Sequence, residues 1–224
     1  MHFLRIVFMV KENGRLFVSS VLAGMCIAMG GTVFLRLKDA FPGGNVVGAL
    51  LFTVGLFVVC TRGYALFTGK ACYIFDNPPA YLGKLLLIWL GNLAGTGFFA
   101  LMERLTAICG TKGIDAVAAG LVAAKIANTG VSLVILGAVC NIFIFIAVNG
   151  YAKNPHELGK YLALFLGVSC FILCGSEHSV ADMYYWWVSG CMLAEPGTAF
   201  ICLLYISLGN ILGGVLFPVL ERYI

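Results

Sequence analysis

The stretch Gly175-Ser176-Glu177-His178-Ser179-Val180-Ala181-Asp182 sits inside a long apolar run. It places two carboxylates and an imidazole where a membrane-spanning helix would be most apolar. Lipid satisfies neither bare backbone nor side-chain charge. Such a stretch therefore survives only against protein or a water-filled passage. A second stretch, Leu66-Phe67-Thr68-Gly69-Lys70, interrupts an earlier apolar run in the same way. Paired interruptions, one in each half of a chain, point to a solute pathway between them.

The rest of the chain agrees with a membrane setting. Of its 224 residues 61% are hydrophobic and 11% charged, with a mean hydropathy of +1.00. A soluble domain cannot cover that much apolar surface, so the reading is an all-α, polytopic membrane protein with the lipid bilayer as a partner. The formal net charge of +4 reports basic loops. No basic run interleaved with aromatics supports RNA or DNA, so nucleic acid is not expected as a partner. Nine cysteines is an odd number. Cys26, Cys60, Cys140, Cys170, Cys174 and Cys202 fall in apolar runs and read as small core residues rather than disulfides. Cys170 and Cys174 share a helix face, but no second thiol pair lies nearby in sequence; neither a metal nor another cofactor is expected. Met1 to Val10 carries no cleavage-type site, which argues against a signal peptide and for a short interfacial helix.

Six apolar segments can be marked, at roughly 16–35, 45–75, 82–108, 117–149, 159–194 and 198–220. Segments two and five carry the interruptions. The separators are polar and often hold proline, as in Asp76-Asn77-Pro78-Pro79, Lys153-Asn154-Pro155-His156-Glu157 and Ala194-Glu195-Pro196-Gly197, which suits helix ends. One side collects Arg5, Lys11, Arg15, Lys70, Lys84, Lys153, Lys160 and Arg222; the other collects Arg36, Lys38, Arg104 and Lys112. The positive-inside rule then puts both termini in the cytoplasm. The expected organisation is a cytoplasmic segment 1–15, one transmembrane channel domain 16–220 and a cytoplasmic end 221–224.

Segments three and six share a Gly-Asn motif, Gly91-Asn92-Leu93-Ala94-Gly95 and Gly209-Asn210-Ile211-Leu212-Gly213-Gly214. Each comes after an interrupted segment. Segments one to three therefore correspond to four to six. Because three spans is an odd number, the second copy must be inserted upside down. The expectation is a 3+3 inverted repeat, about 16–110 and 114–220, with helices two and five broken at the midplane.

Particular side chains carry the chemistry. Thr68 is expected to N-cap the resumed half-helix after the first break, whose positive end would attract an anion. His178 is the one histidine inside a span, and its titration range suits a proton donor. Glu177 is expected to pair with an amide or a cation, and Asp182, one turn past His178, to tune it or cap a neighbour. Lys125 is expected either to line an aqueous vestibule and add positive potential for anions, or to snorkel to the outer surface. Phe52, Leu56, Leu66, Phe67, Ile144 and Phe171 are candidates for dry constrictions, which repel an ion and pass a neutral molecule more readily.

These motifs resemble the formate/nitrite transporter family: Leu66-Phe67-Thr68-Gly69, the Glu177-His178-Ser179 run in a broken fifth helix and the two Gly-Asn motifs. The resemblance runs from about residue 16 to the C-terminus. It implies a homopentamer of aquaporin-like protomers in the plasma membrane, each with its own pore. It also implies transport of small monovalent anions: formate, nitrite, hydrosulfide or short carboxylates. By motif position, His178 corresponds to the family's central pore histidine and Thr68 to the threonine of its mobile loop. Phe52, Phe171, Leu56 and Ile144 match its constrictions, and Lys125, Asn141 and Glu177 its polar network. Residue 182 is Asp where Asn is common. Lys70 stands where Asn, Ser or Thr is often found, and Ala65 where an acid is frequent.

The expected function is a channel or transporter for small weak-acid anions, formate first, protonated near His178. Hydrosulfide or nitrite is the alternative on the same fold. A neutral-solute pore of the aquaporin kind would carry paired Asn-Pro-Ala half-helix ends, which are absent. A membrane enzyme would need a nucleophile, metal cluster or cofactor motif beside Glu177 and His178, and none accompanies them.

Overall fold

The computed structural model describes residues 2–110 and 113–224, without the side chains of residues 2–10. The interfacial segment expected over Met1–Val10 and the loop charge Lys112 involve residues outside that description. Among the described residues the chain is helical throughout: α1 (His2–Leu37), α2 (Gly44–Arg62), α3 (Phe67–Ala71), α4 (Tyr81–Arg104), α5 (Ile114–Ile126), α6 (Gly130–Lys153), α7 (Glu157–Leu173), α8 (Ser179–Ser189), α9 (Cys191–Ala194) and α10 (Pro196–Leu220).

Five of these helical stretches are long and apolar enough to cross a membrane: Lys11–Leu37, Gly44–Arg62, Tyr81–Arg104, Gly130–Lys153 and Pro196–Tyr223. The expected fifth segment is not among them. It divides into α7, of 17 residues, and α8, of 11, and neither half is long enough alone. The fourth segment also differs from expectation. Instead of one helix over 117–149 there is α5, then a turn at Asn128, then α6. The Thr129 hydroxyl caps α6 by accepting from the Ser132 N–H at 3.2 Å. Lys125 thus lies in the last turn of short α5, ahead of the spanning helix.

Two tight pairs organise the bundle. α1 packs on α4 and α6 packs on α10, each through glycine. A Cβ on Gly95 would come within 2.0 Å of the Val21 carbonyl oxygen, and one on Gly213 within 1.9 Å of that of Ala138. Backbones this close admit no side chain, so the Gly-Asn motifs weld their helices to the partners. The core between the pairs is large and apolar, with Trp186, Tyr184, Phe52, Ile27 and Leu133 fully buried.

Two segments stop short and resume. α2 ends at Arg62, Gly63 turns the chain at φ 69°, and α3 begins at Phe67. α7 ends at Leu173, Gly175 turns it at φ 66°, and α8 begins at Ser179. The left-handed conformation at both turns is open to glycine at little steric cost.

Candidate solute passage

Each resumed helix starts buried, so its free N–H groups need partners other than water. At α3 the partner is Asn92, whose Oδ1 accepts from the Phe67 N–H at 2.8 Å. The Asn92 amide nitrogen donates to the Ala65 carbonyl at 3.0 Å and to the Ser20 carbonyl of α1 at 2.7 Å. At α8 the partner is Asn210, whose Oδ1 accepts from the Ser179 N–H at 2.9 Å. Its nitrogen donates to the Glu177 carbonyl at 2.9 Å and to the Gly137 carbonyl of α6 at 2.8 Å. The cap expected from Thr68 is therefore not what holds α3. Leu66 is the N-cap residue, with no side-chain bond of its own. Thr68 lies one residue inside the helix, too late to cap it, and its hydroxyl is free for another task.

That task is visible across the core. Thr68 Oγ1 lies 3.0 Å from His178 Nε2, both residues buried, joining the two interruptions directly. His178 is the N-cap of α8, and its Nδ1 accepts from the Ala181 N–H at 3.1 Å. Hydrogen bonding thus assigns the neutral tautomer with its proton on Nε2, donating to Thr68. The Thr68 O–H then remains free to donate elsewhere. Phe171 stacks on the imidazole with ring centroids 5.4 Å apart, and Phe52 meets Phe171 edge-on at 6.1 Å.

Two cavities lie near this pair; His178 lines the second, and Thr68 is buried and lines neither. The first, about 250 Å³, is lined by Leu56, Leu66, Gly69 and Lys70 among others. The second, about 230 Å³, is lined by Phe171, Ser176, Glu177, His178, Asp182 and Lys125 among others. The two linings share no residue. Of the expected constriction residues, Leu56 and Leu66 face the first cavity and Phe171 the second. Phe52 is buried behind Phe171, while Phe67 and Ile144 are buried and line neither cavity. Asn141 also lines neither. It donates to the Thr68 carbonyl at 3.0 Å and to the Asn210 carbonyl at 2.6 Å, tying the first break to the second Gly-Asn motif.

Lys125 lines the second cavity but does not offer free positive charge. Its ammonium meets Glu177 Oε2 and lies 2.9 Å from Asp182 Oδ1. The expected attraction for anions is thereby cancelled, because two carboxylates face one cation. Sequence reasoning identifies the pairing need of Glu177 but not Lys125 as its partner. It also misses a buried cluster on the far side of α8, where Glu103 accepts from Tyr184 at 2.6 Å and from Thr32 at 2.5 Å. The signal for it is a glutamate closing an apolar helix directly before Arg104.

A multi-pass helical chain with a buried hydroxyl–imidazole pair beside a polar-lined cavity has the make-up of a channel or transporter for a small solute. The chain belongs to the formate/nitrite transporter family: the family model described as "Formate/nitrite transporter" matches residues 9–224. It is therefore a multi-pass transport protein, not an enzyme. A probable formate transporter of Methanothermobacter thermautotrophicus is 30% identical over 237 residues, covering 91% of this chain and 86% of that protein. Among solved structures, an "FNT family ion channel" superposes with a TM-score of 0.84 at 27% identity, covering 98% of this chain and 93% of the other. A "pentameric formate channel with formate bound" superposes with a TM-score of 0.81 at 22% identity, covering 95% and 97%.

Proposed function

We propose that this protein passes small monovalent weak-acid anions, formate first, through a pore centred on Thr68 and His178. The observation that carries the reading is the buried Thr68–His178 hydrogen bond, which joins the two breaks, with His178 on the wall of the second cavity and Leu66 and Gly69, close to Thr68 in sequence, on the wall of the first. An anion arriving there meets the free Thr68 O–H and, once it displaces the Thr68 contact, the His178 Nε2–H. Two neutral donors orient a carboxylate without a buried counter-charge. A bare charge cannot cross the walls of Leu56, Leu66 and Phe171 cheaply, so the anion takes up a proton and crosses as the neutral acid. The Ala181 N–H occupies Nδ1, so forming imidazolium breaks the α8 cap. The proton therefore comes through water at the cavity wall, and the imidazole positions the anion. Formate is favoured by the names of the relative and of the formate-bound neighbour. Nitrite or hydrosulfide is the alternative on the same pore.

The wider architecture belongs to the same proposal. Residues 16–110 and 114–220 form a 3+3 inverted repeat, supported by the matched asparagine anchors and by glycine turns three residues before Leu66 and His178. The protomer is aquaporin-like, with both termini in the cytoplasm of a plasma membrane. Five protomers assemble, as the pentameric formate channel does. The test is formate flux into proteoliposomes. His178→Ala is expected to lower flux at least tenfold, since one lost oriented donor is worth about 1.5–3 kcal/mol for a charged partner. Unchanged flux in that variant would overturn the role of His178.

A further inference from the structure

The second cavity holds a charge imbalance that the transport reading does not explain. Lys125, Glu177 and Asp182 are 7%, 8% and 2% exposed. Among the described residues lining that cavity, Lys125 is the sole lysine or arginine. With both carboxylates ionised, the wall would carry one uncompensated negative charge beside a passage for anions. A buried charge without its own partner is strongly unfavourable. Two carboxylates against one ammonium relieve this by holding a proton between them.

Burial separates the two carboxylates, Asp182 being the more enclosed. Glu177 Oε2 and Asp182 Oδ1 both face the ammonium. Asp182 Oδ2 is buried and has no hydrogen-bond partner. A protonated carboxyl needs one oxygen free to bear the hydrogen while the other still accepts, and Asp182 satisfies both conditions. The remaining groups near the cluster do not alter its balance. His178 lies on the break, with its proton assigned to Nε2, and Tyr185 of α8 places its ring centroid 6.0 Å from the Lys125 nitrogen. Cys140 of α6 and Cys202 of α10 also feel the charge of the cluster.

We propose that Asp182 carries a proton on Oδ2 while the pore conducts, and that losing this proton turns the cavity wall negative and excludes anions. The proposal rests on the anion-channel reading above. Asp182 is then a specificity residue: it sets the charge an anion meets before reaching Thr68 and His178. Ionisation moves the proton from Oδ2 to water in the cavity, and no other bond changes. Flux therefore falls with rising pH more steeply than the supply of undissociated acid alone requires.

The test uses the full-length protein in proteoliposomes and Asp182→Asn, which keeps the shape and removes the charge. The readout is the ratio of formate flux at alkaline pH to that at acid pH. It is expected to rise about tenfold in the variant, the scale of one nearby charge in a partly solvated site. Infrared difference spectra over the same pH range should show a carboxylic C=O band that Asp182→Asn loses. The same flux ratio in both proteins, or the same band in both, overturns the proposal. Absence of formate flux in the unmodified protein would remove the channel reading, and the infrared measurement would still decide the proton. If Asp182→Asn does not elute as a folded protein, Glu177→Gln takes its place. It also removes one of the two carboxylates, and it is expected to lose the same transition.

Discussion

The two interruptions use the same backbone device for different ends. Both turn at a glycine with φ near 70°, at 69° and 66°, and both resume under an asparagine that accepts one N–H and donates to two carbonyls. They diverge at the N-cap position, where the first has Leu66 and the second His178. They diverge again in the helices beyond. α3 runs five residues, while α8 runs eleven, most of them buried, and is clamped by Glu103 on one side and Lys125 on the other. A shared scaffold thus delivers two chain segments to one depth, and a single side chain at matched positions decides which is apolar wall and which is imidazole. The two breaks differ in side chains and agree in hydrogen-bonded backbone.

The largest effects should fall on that shared scaffold. Asn92→Ala and Asn210→Ala each leave one buried N–H and one carbonyl of the break, that of Ala65 or of Glu177, unsatisfied. At about 1–3 kcal/mol per group, either loss approaches the whole stability of a domain. Neither variant should yield folded protein by detergent gel filtration, and the two should fail alike. Survival of one would show that the scaffolds are not equivalent.

A smaller effect should separate the two sides. Thr68→Val keeps the shape of the first break and removes the acceptor for His178 Nε2. Formate flux is expected to fall about tenfold, corresponding to ~1.4 kcal/mol for one lost hydrogen bond, and stability to fall by about 1–3 kcal/mol, less than for either asparagine variant, because the buried Nε2–H loses its acceptor. Thr68→Ser should restore most of the flux. Equal flux in the valine variant would mean that the hydroxyl–imidazole pair does not face the solute.

Much of this architecture is legible in the chain itself. Charged and polar residues inside apolar runs mark the breaks, because lipid does not satisfy them, whereas glycine alone does not, as Gly95 and Gly213 sit within unbroken helices. Thr68 and His178 stand out for that reason, and the structure brings them into contact across 110 positions of sequence. Partnership is less legible. Nothing in Ala124-Lys125-Ile126 names Glu177 or Asp182 as its counter-ions, so the sequence alone leaves Lys125 free. Asn92 and Asn210 stand out as motif members, yet their capping role depends on which helix end lies opposite them. Thr68 has a capping residue type but the wrong position, since Asn92 reaches the Phe67 N–H from another helix. The split at Asn128-Thr129-Gly130 carries a helix-start signal that the length of the surrounding apolar run conceals.

The finest probe of the comparison is the pair of glycine turns. A Cβ on Gly63 or on Gly175 would meet nothing within 4 Å, so alanine at either place adds backbone strain and no clash. At a left-handed φ that strain is roughly 1–2 kcal/mol, offset in part because alanine loses less freedom on folding than glycine. Gly63→Ala and Gly175→Ala should each lower the thermal midpoint modestly and by nearly the same amount. Flux, by contrast, should respond unequally. Gly63 lines the first cavity next to short α3, and Gly175 lines the second, directly before the Glu177 carboxylate that Lys125 holds. A shift at Gly175 therefore moves the Lys125 cluster and the His178 ring together, and should cost more flux per unit of lost stability. If the two variants lose flux in the same proportion, the second break owes its chemistry to position alone, and the ionic clamp around Lys125 contributes nothing to holding His178 in place.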